Sequence, residues 1–129
     1  MARAQALEFP VLLAHCERQV RMATADDLTA GGLKVIEVAS TDEALSYLES
    51  RNDICLVITE IDMSGCLSGL DLARFVTRRW PSVGIIILGW PTQPTPSLPQ
   101  AVTFLPKPCP PASLVEQVRA KLTTICHPP

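Results

Sequence analysis

Short apolar runs alternate with segments of helical periodicity along most of this 129-residue sequence. The apolar runs have the length of strands, and the segments between them place apolar residues three or four positions apart, as on the buried face of a helix. This alternation predicts repeated βα units packed on a parallel sheet. The predicted strands cover residues 9–14, 35–39, 54–58, 85–88 and 102–105.

The helical segments have starts and stops that match the preferences of helix ends. The first helix is predicted over residues 17–30, because the glycines at 31–32 supply a stop signal. The last helix is predicted to begin near Pro111, since proline suits the first helical turn. The residues expected on the buried side of the first helix are Val20, Ala23 and Leu28.

The segment between the fourth and fifth predicted strands interrupts the alternation. WPTQPTPSLPQ (90–100) has prolines at positions 91, 94, 96 and 99, and each proline lacks an N–H donor and has a fixed φ. Proline at this density disfavours a regular helix. Two interpretations remain open: a rigid, extended surface connection, or a remodelled edge that binds a partner.

The composition is that of an ordinary globular protein, with 47% hydrophobic and 19% charged residues. The length predicts one domain over 1–129, with a core at about 9–123 and no effector or DNA-binding domain. The N-terminus lacks a secretory apolar region, and no apolar run approaches the roughly 20 residues that cross a bilayer, so a cytoplasmic location is expected. A net charge of -2 does not favour direct binding to nucleic acid.

The first predicted strand ends in VLLAHCE (11–17), which places His15 and Cys16 at the carboxyl end of a buried strand. Ligands of open α/β sheets bind at such strand ends. The five cysteines are odd in number and form no CxxC pair, which favours reduced thiols. The residue types alone leave open a transition-metal site formed with Glu60, or a redox role for Cys16.

Three strand ends, VLLAHCE, LVITEIDM and TFLPKP, occur in this order and resemble those of the receiver domains of bacterial response regulators. The most specific fragment is FLPKP (104–108), and the resemblance covers nearly the whole chain. It implies a doubly wound, five-stranded parallel sheet of the flavodoxin-like receiver type, with strand order 2-1-3-4-5. The helix between strands 4 and 5 is expected to be shortened or lost.

The resemblance also identifies a degenerate phosphorylation site. Glu60 takes the place of the phosphorylated aspartate, and Lys107 matches the lysine after strand five. The family holds Mg²⁺ with strand-one acids, but His15 and Cys16 stand there and offer nitrogen and sulfur instead of the oxygen that Mg²⁺ prefers. The family also has a Ser or Thr hydroxyl after strand four, which takes part in its switch. The matching position here is Gly89, which has no side chain. The third interpretation of His15 and Cys16 is therefore lost magnesium chemistry.

These substitutions predict a site that is locked without metal or phosphoryl group. Glutamate is longer than aspartate by one C–C bond, about 1.5 Å, so Glu60 is expected to form a direct ion pair with Lys107. His15 is expected to hydrogen-bond Glu60 across the crevice between strands one and three. Phe104 matches the switch-aromatic position of the family, but Gly89 cannot couple that ring to the site.

The resemblance implies an atypical, stand-alone pseudo-receiver in two-component signal transduction that is not an enzyme and needs no cofactor. Its expected partners are a sensor histidine kinase, another response regulator, or a second copy bound through strand five and the last helix. Trp90 and Phe104 are candidate interface residues. Two alternatives remain: an inefficiently phosphorylated receiver, at a residue such as Asp62, and a metal- or redox-sensing module that uses His15 and Cys16.

Overall fold

The computed structural model describes residues 9–62, 68–91, 98 and 101–126, and they form a single parallel sheet flanked by helices. The sheet has five strands in the order β2-β1-β3-β4-β5, and every neighbouring pair is parallel. This is the predicted topology. The strands are β1 (Val11–Ala14), β2 (Val35–Val38), β3 (Leu56–Glu60), β4 (Gly84–Gly89) and β5 (Val102–Pro106).

Helices cover both faces of the sheet. Within the described residues the helices are α1 (Arg18–Ala30), α2 (Thr41–Ser50), α3 (Gly69–Arg79) and α4 (Pro111–Cys126). Ser40 caps α2, because its hydroxyl accepts a hydrogen bond from the Glu43 amide at 3.2 Å. Helices α2 and α3 pack on one face, and α1 and α4 pack on the other. A doubly wound sheet of this kind is buried on both faces at its centre.

The central strands are apolar along most of their length and become polar only where they end. The residues of β1, β3 and β4 are all buried, and each fully buried Leu or Ile side chain contributes roughly 1.5–3 kcal/mol of hydrophobic free energy. The first buried polar groups along β1 and β3 are His15, Thr59 and Glu60. The buried polar side chains of these strands therefore lie at the carboxyl edge of the sheet.

Strand β3 ends two residues later than its apolar run predicts. The predicted strand covered 54–58, whereas the ladder to β4 continues through Thr59, opposite Ile87, and Glu60, opposite Leu88. Backbone pairing with a buried neighbour extends the strand beyond the point where the apolar pattern stops. Glu60 therefore has the fixed backbone of a strand residue.

The buried face of α1 differs from its prediction at two of three positions. Leu28 is fully buried as predicted, but Ala23 is exposed, Val20 is 40% exposed, and Ala25 takes the second buried position. The first turn of α1 is held instead by Arg21, whose guanidinium donates to the His15 carbonyl oxygen at 2.9 Å. Val20 is thereby left beside the carboxyl edge of the sheet.

Most of the connection between β4 and β5 lies outside the described residues, so the interpretations of WPTQPTPSLPQ and of the shortened helix remain predictions. Its described residue Leu98 packs against the core cluster beneath α2 and α3. No helix in the described part of the chain is long and apolar enough to span a bilayer.

Candidate functional site

The carboxyl ends of four strands meet at one edge of the sheet and bring the predicted site residues together. His15 follows β1 directly, Glu60 ends β3, Gly89 ends β4, and Lys107 follows β5. The Lys107 amide donates to the Gly89 carbonyl oxygen at 2.8 Å, which fixes the chain that carries the lysine. Parallel strands create this juxtaposition because all their carboxyl ends lie on the same side.

The Glu60 carboxylate is bound on both of its oxygens. Oε1 forms a direct ion pair with Lys107 Nζ, and Oε2 lies 2.7 Å from His15 Nε2. Glu60 and His15 are buried, whereas the Lys107 side chain is 24% exposed. The ion pair and the hydrogen bond predicted from the sequence are both present, and the three residues are called the triad below.

The tautomer of His15 is determined by its second ring nitrogen. The Glu17 amide donates to His15 Nδ1 at 3.0 Å, so Nδ1 acts as an acceptor and carries no proton. The ring proton must then be on Nε2, where it is donated to Glu60 Oε2. The triad thus consists of a neutral imidazole, a carboxylate and an ammonium group, and its net charge is zero.

Burial and neighbouring charge act on the two basic members of the triad. Burial lowers the pKa of His15, and the positive charge of Lys107 lowers it further, while the Glu17 carboxylate opposes both effects. Burial also lowers the pKa of Lys107, an effect that negative charge on Glu17 and Cys16 opposes. A lowered pKa at His15 agrees with the acceptor role of its Nδ1, because protonation there would break the bond to the Glu17 amide.

We expect the stability conferred by neutral His15 to be lost on acidification. The folded pKa lies below the ordinary value of 6.5, so the unfolded chain binds more protons between these two values. This contribution is complete above pH 6.5 and declines as the pH falls through the folded pKa. Urea unfolding from acid to neutral pH measures the difference in unfolding free energy between wild type and His15→Gln. If the stability advantage of wild type instead grows on acidification, His15 is cationic and paired with Glu60.

The start of α3 lies directly against the end of β3. The Gly69 amide donates to the Ile61 carbonyl oxygen at 2.9 Å, and a Cβ atom at this glycine would overlap the Glu60 carbonyl oxygen. The backbone of Glu60 is therefore held between β4 on one side and the first residue of α3 on the other. Such support fixes the carboxylate in the geometry that the triad needs.

A cavity of about 280 Å³ opens beside the triad, on the face of the sheet covered by α1 and α4. Its walls are mainly apolar, and its polar end is formed by the triad. The Lys107 ammonium lies 5.8 Å from the centre of the Trp90 ring, which also lines the cavity. The residues that line its walls include Leu13, Val20, Thr24, Ile58, Trp90 and Leu114.

Sequence reasoning missed this cavity. The sequence indicates Trp90 only as a candidate interface residue, whereas in the structure it lines the cavity and is 51% exposed. Val20 was assigned to the core, and it also lines the cavity. The available signal was a large aromatic residue immediately after the glycine that ends β4.

The other predicted site residues are not members of the triad. Cys16 and Asp62 are exposed to solvent. Phe104 of β5 lies opposite Ile87 of β4. Its side chain is half-buried and packs against the core cluster beneath α2 and α3. The cavity lies on the opposite face of the sheet, beneath α1 and α4.

The residues at this edge do not fit a magnesium site. His15 and Cys16 provide nitrogen and sulfur, and both Glu60 oxygens are already engaged in the triad. Within the described ranges, no group of three or more His, Cys, Asp or Glu side chains is placed to hold a metal ion.

Comparison with known proteins rests on structure. No protein-family model matches the sequence, and no curated protein matches it. The chain is similar to the receiver domain of the hybrid histidine kinase CckA, with 28% identity over 88% of this chain and 98% of that chain, and a TM-score of 0.72. It is also similar to a response regulator receiver protein from Sinorhizobium medicae WSM419, with 25% identity over 92% and 97% of the two chains, and a TM-score of 0.75.

A third similar structure has lower identity and equally close geometry. The receiver domain protein from Clostridium thermocellum is 22% identical over 89% of this chain and 94% of that chain, with a TM-score of 0.77. The structural neighbours of this chain are response regulator receiver domains, and the chain has the receiver fold.

Proposed function

We propose that this protein is an atypical response regulator that acts in two-component signalling by binding other proteins, without being phosphorylated. One observation carries the proposal: the Glu60 carboxylate, which stands at the position of the phosphoryl acceptor, is engaged on both oxygens by Lys107 and His15. A carboxylate that is bound in this way is not available to attack a phosphoryl donor.

The chemistry of phosphoryl transfer supports this proposal. Such catalysis depends on positioning the phosphoryl group and neutralising its charge. The strand-one acids are replaced by His15 and Cys16, and Gly89 has no hydroxyl. Loss of one group that stabilises the transition state commonly costs about 10²- to 10³-fold in rate. Loss of several such groups predicts negligible phosphoryl transfer, and the domain is proposed not to be an enzyme.

The triad also gives the site a fixed arrangement without a signal. Lys107 neutralises the charge of Glu60, and the backbones of both residues are held by neighbouring elements at Gly89 and Gly69. Gly89, which ends β4, has no hydroxyl to link the site to Phe104. The proposed output is therefore a constant binding surface that does not switch.

The proposed partners are a sensor histidine kinase, another response regulator, or a second copy of this chain. The structural neighbours include the receiver domain of a hybrid histidine kinase and that of a response regulator/GGDEF domain protein. The face formed by β5 and α4, with Trp90 and Phe104 near it, is the proposed contact surface. A net charge of -2 favours protein partners over nucleic acid.

The test is incubation with Mg²⁺ and acetyl phosphate, followed by intact-mass measurement. We expect no gain of a phosphoryl group in the wild-type protein. The triple substitution His15→Asp, Cys16→Asp and Glu60→Asp supplies the acids at the matching positions and serves as the positive control. A mass gain in wild type that Glu60→Gln abolishes would contradict the proposal, and a gain that maps to Asp62 would support inefficient phosphorylation instead.

A further inference from the structure

The cavity beside the triad has the form of a small-molecule site. Its volume of about 280 Å³ is close to the lower end of the range for ligand pockets, roughly 300–1,000 Å³. Leu13 and Ile58 form its floor on the sheet, and Leu114 of α4 closes one side. Val20 and Trp90 are 40% and 51% exposed, so the cavity has a mouth through which a molecule can enter.

The charges at the polar end favour an uncharged ligand. The ammonium of Lys107 and the carboxylate of Glu60 neutralise one another, and His15 is neutral. A charged ligand in this half-buried place would bring a charge without a counter-ion, which carries a desolvation cost of several kcal/mol. A molecule with no net charge avoids that cost.

The polar end of the cavity can offer a ligand a hydrogen-bond donor. Both nitrogens of His15 and both oxygens of Glu60 already have partners. The Thr24 hydroxyl donates to the Val20 carbonyl oxygen at 2.8 Å. Lys107 has three N–H donors, and its contacts within the described residues are one carboxylate oxygen and the Trp90 ring. A ligand with an acceptor atom is therefore complementary to the polar end of the cavity, because that atom can accept a hydrogen bond from Lys107.

We propose that this cavity binds a small uncharged molecule whose apolar body lies between α1 and α4 and whose carbonyl oxygen accepts a hydrogen bond from Lys107 Nζ. Binding of this kind goes beyond the proposed function, because it gives the fixed site a ligand of its own. Apolar contact with Leu13, Ile58 and Leu114 supplies most of the affinity, and the single polar contact orients the molecule.

Three probes of equal chain length test the chemical class. Methyl pentyl ketone, heptanoate and heptylamine are titrated into the full chain while amide chemical shifts are followed. We expect saturable binding of the ketone, with shifts at the carboxyl ends of β1 and β3 and at the start of α4. The acid and the amine are expected to bind at least about tenfold more weakly, because each brings a charge without a counter-ion into this half-buried place. Tighter binding of heptanoate or heptylamine would overturn the assignment.

Two tryptophan substitutions on α1 test the location. Val20→Trp fills the mouth of the cavity, and we expect it to weaken ketone binding at least about tenfold. Met22→Trp is the matched control, since Met22 is 45% exposed on the same helix and does not line the cavity. Equal ketone binding by both variants, or no saturation in wild type, would overturn the proposal. A phosphoryl mass gain would overturn only the proposed function, so the two failures are distinguishable.

Discussion

Gly69→Ala is expected to lower the free energy of unfolding by about 3 kcal/mol, at the upper end of the cost of overpacking. An alanine in the first turn of a helix normally stabilises it relative to glycine. At position 69 we expect alanine to destabilise the protein instead. The added Cβ would overlap the Glu60 carbonyl oxygen and lie 3.2 Å from Ile61 Cα, and neither backbone atom can rotate away. Urea unfolding measures the loss.

Gly31→Ala is the matched control for that substitution. A Cβ at Gly31 would meet Val115 Cγ1 at 2.7 Å and lie 3.3 Å from the Leu28 carbonyl oxygen, so its tightest contact is with a side chain and not, as at Gly69, with backbone. The backbone φ at Gly31 is -80°, a value that alanine adopts without strain. We expect a loss of about 1 kcal/mol or less. Equal losses at Gly31 and Gly69 would show that the contact of α3 with β3 is not rigid.

Lys107→Met is expected to cost about 2 kcal/mol of unfolding free energy. The substitution leaves the buried Glu60 carboxylate without its counter-ion, and removal of one partner of a fully buried pair costs about 3–5 kcal/mol. The smaller value is expected because solvent reaches part of the Lys107 side chain. Lys34→Met is the matched control, because Lys34 is exposed on the surface and its loss should change stability little.

A double-mutant cycle distinguishes the ion pair from simple packing. Glu60→Gln combined with Lys107→Met removes both charges, so we expect the double variant to regain most of the stability lost by Lys107→Met alone. The coupling reports the interaction of the two side chains directly. Additive losses in the double variant would contradict the description of Glu60 and Lys107 as one charge-neutral unit.

Much of the site could be predicted from residue types at strand ends. His15, Glu60, Gly89 and Lys107 were expected at one edge of the sheet, and the structure places them there. This worked because parallel strands in a fixed order bring their carboxyl ends together whatever the details of packing. The contacts of Glu60 with Lys107 and His15 were also expected, since glutamate is longer than aspartate and reaches both residues across the crevice.

Other parts of the site could not be predicted from periodicity. The pattern of α1 assigned Val20 to the core, yet the helix is rotated so that Ala25 is buried and Val20 lines the cavity. Apolar spacing indicates that a helix has a buried face, but the rotation of the helix depends on contacts such as Arg21 with the His15 carbonyl. The extension of β3 to Glu60 was set in the same way by pairing with β4.

The alternation of apolar runs with helical periodicity was enough to predict the parallel βα architecture, and the residue types at positions 15, 16 and 60 are given directly, because periodicity and residue chemistry are local properties of the chain. Three features could be read only from the folded chain: the proton position on His15, the requirement for glycine at position 69, and the cavity lined by Val20 and Trp90. Each of these depends on distances between atoms in the folded chain, and such distances follow from packing and not from the apolar pattern.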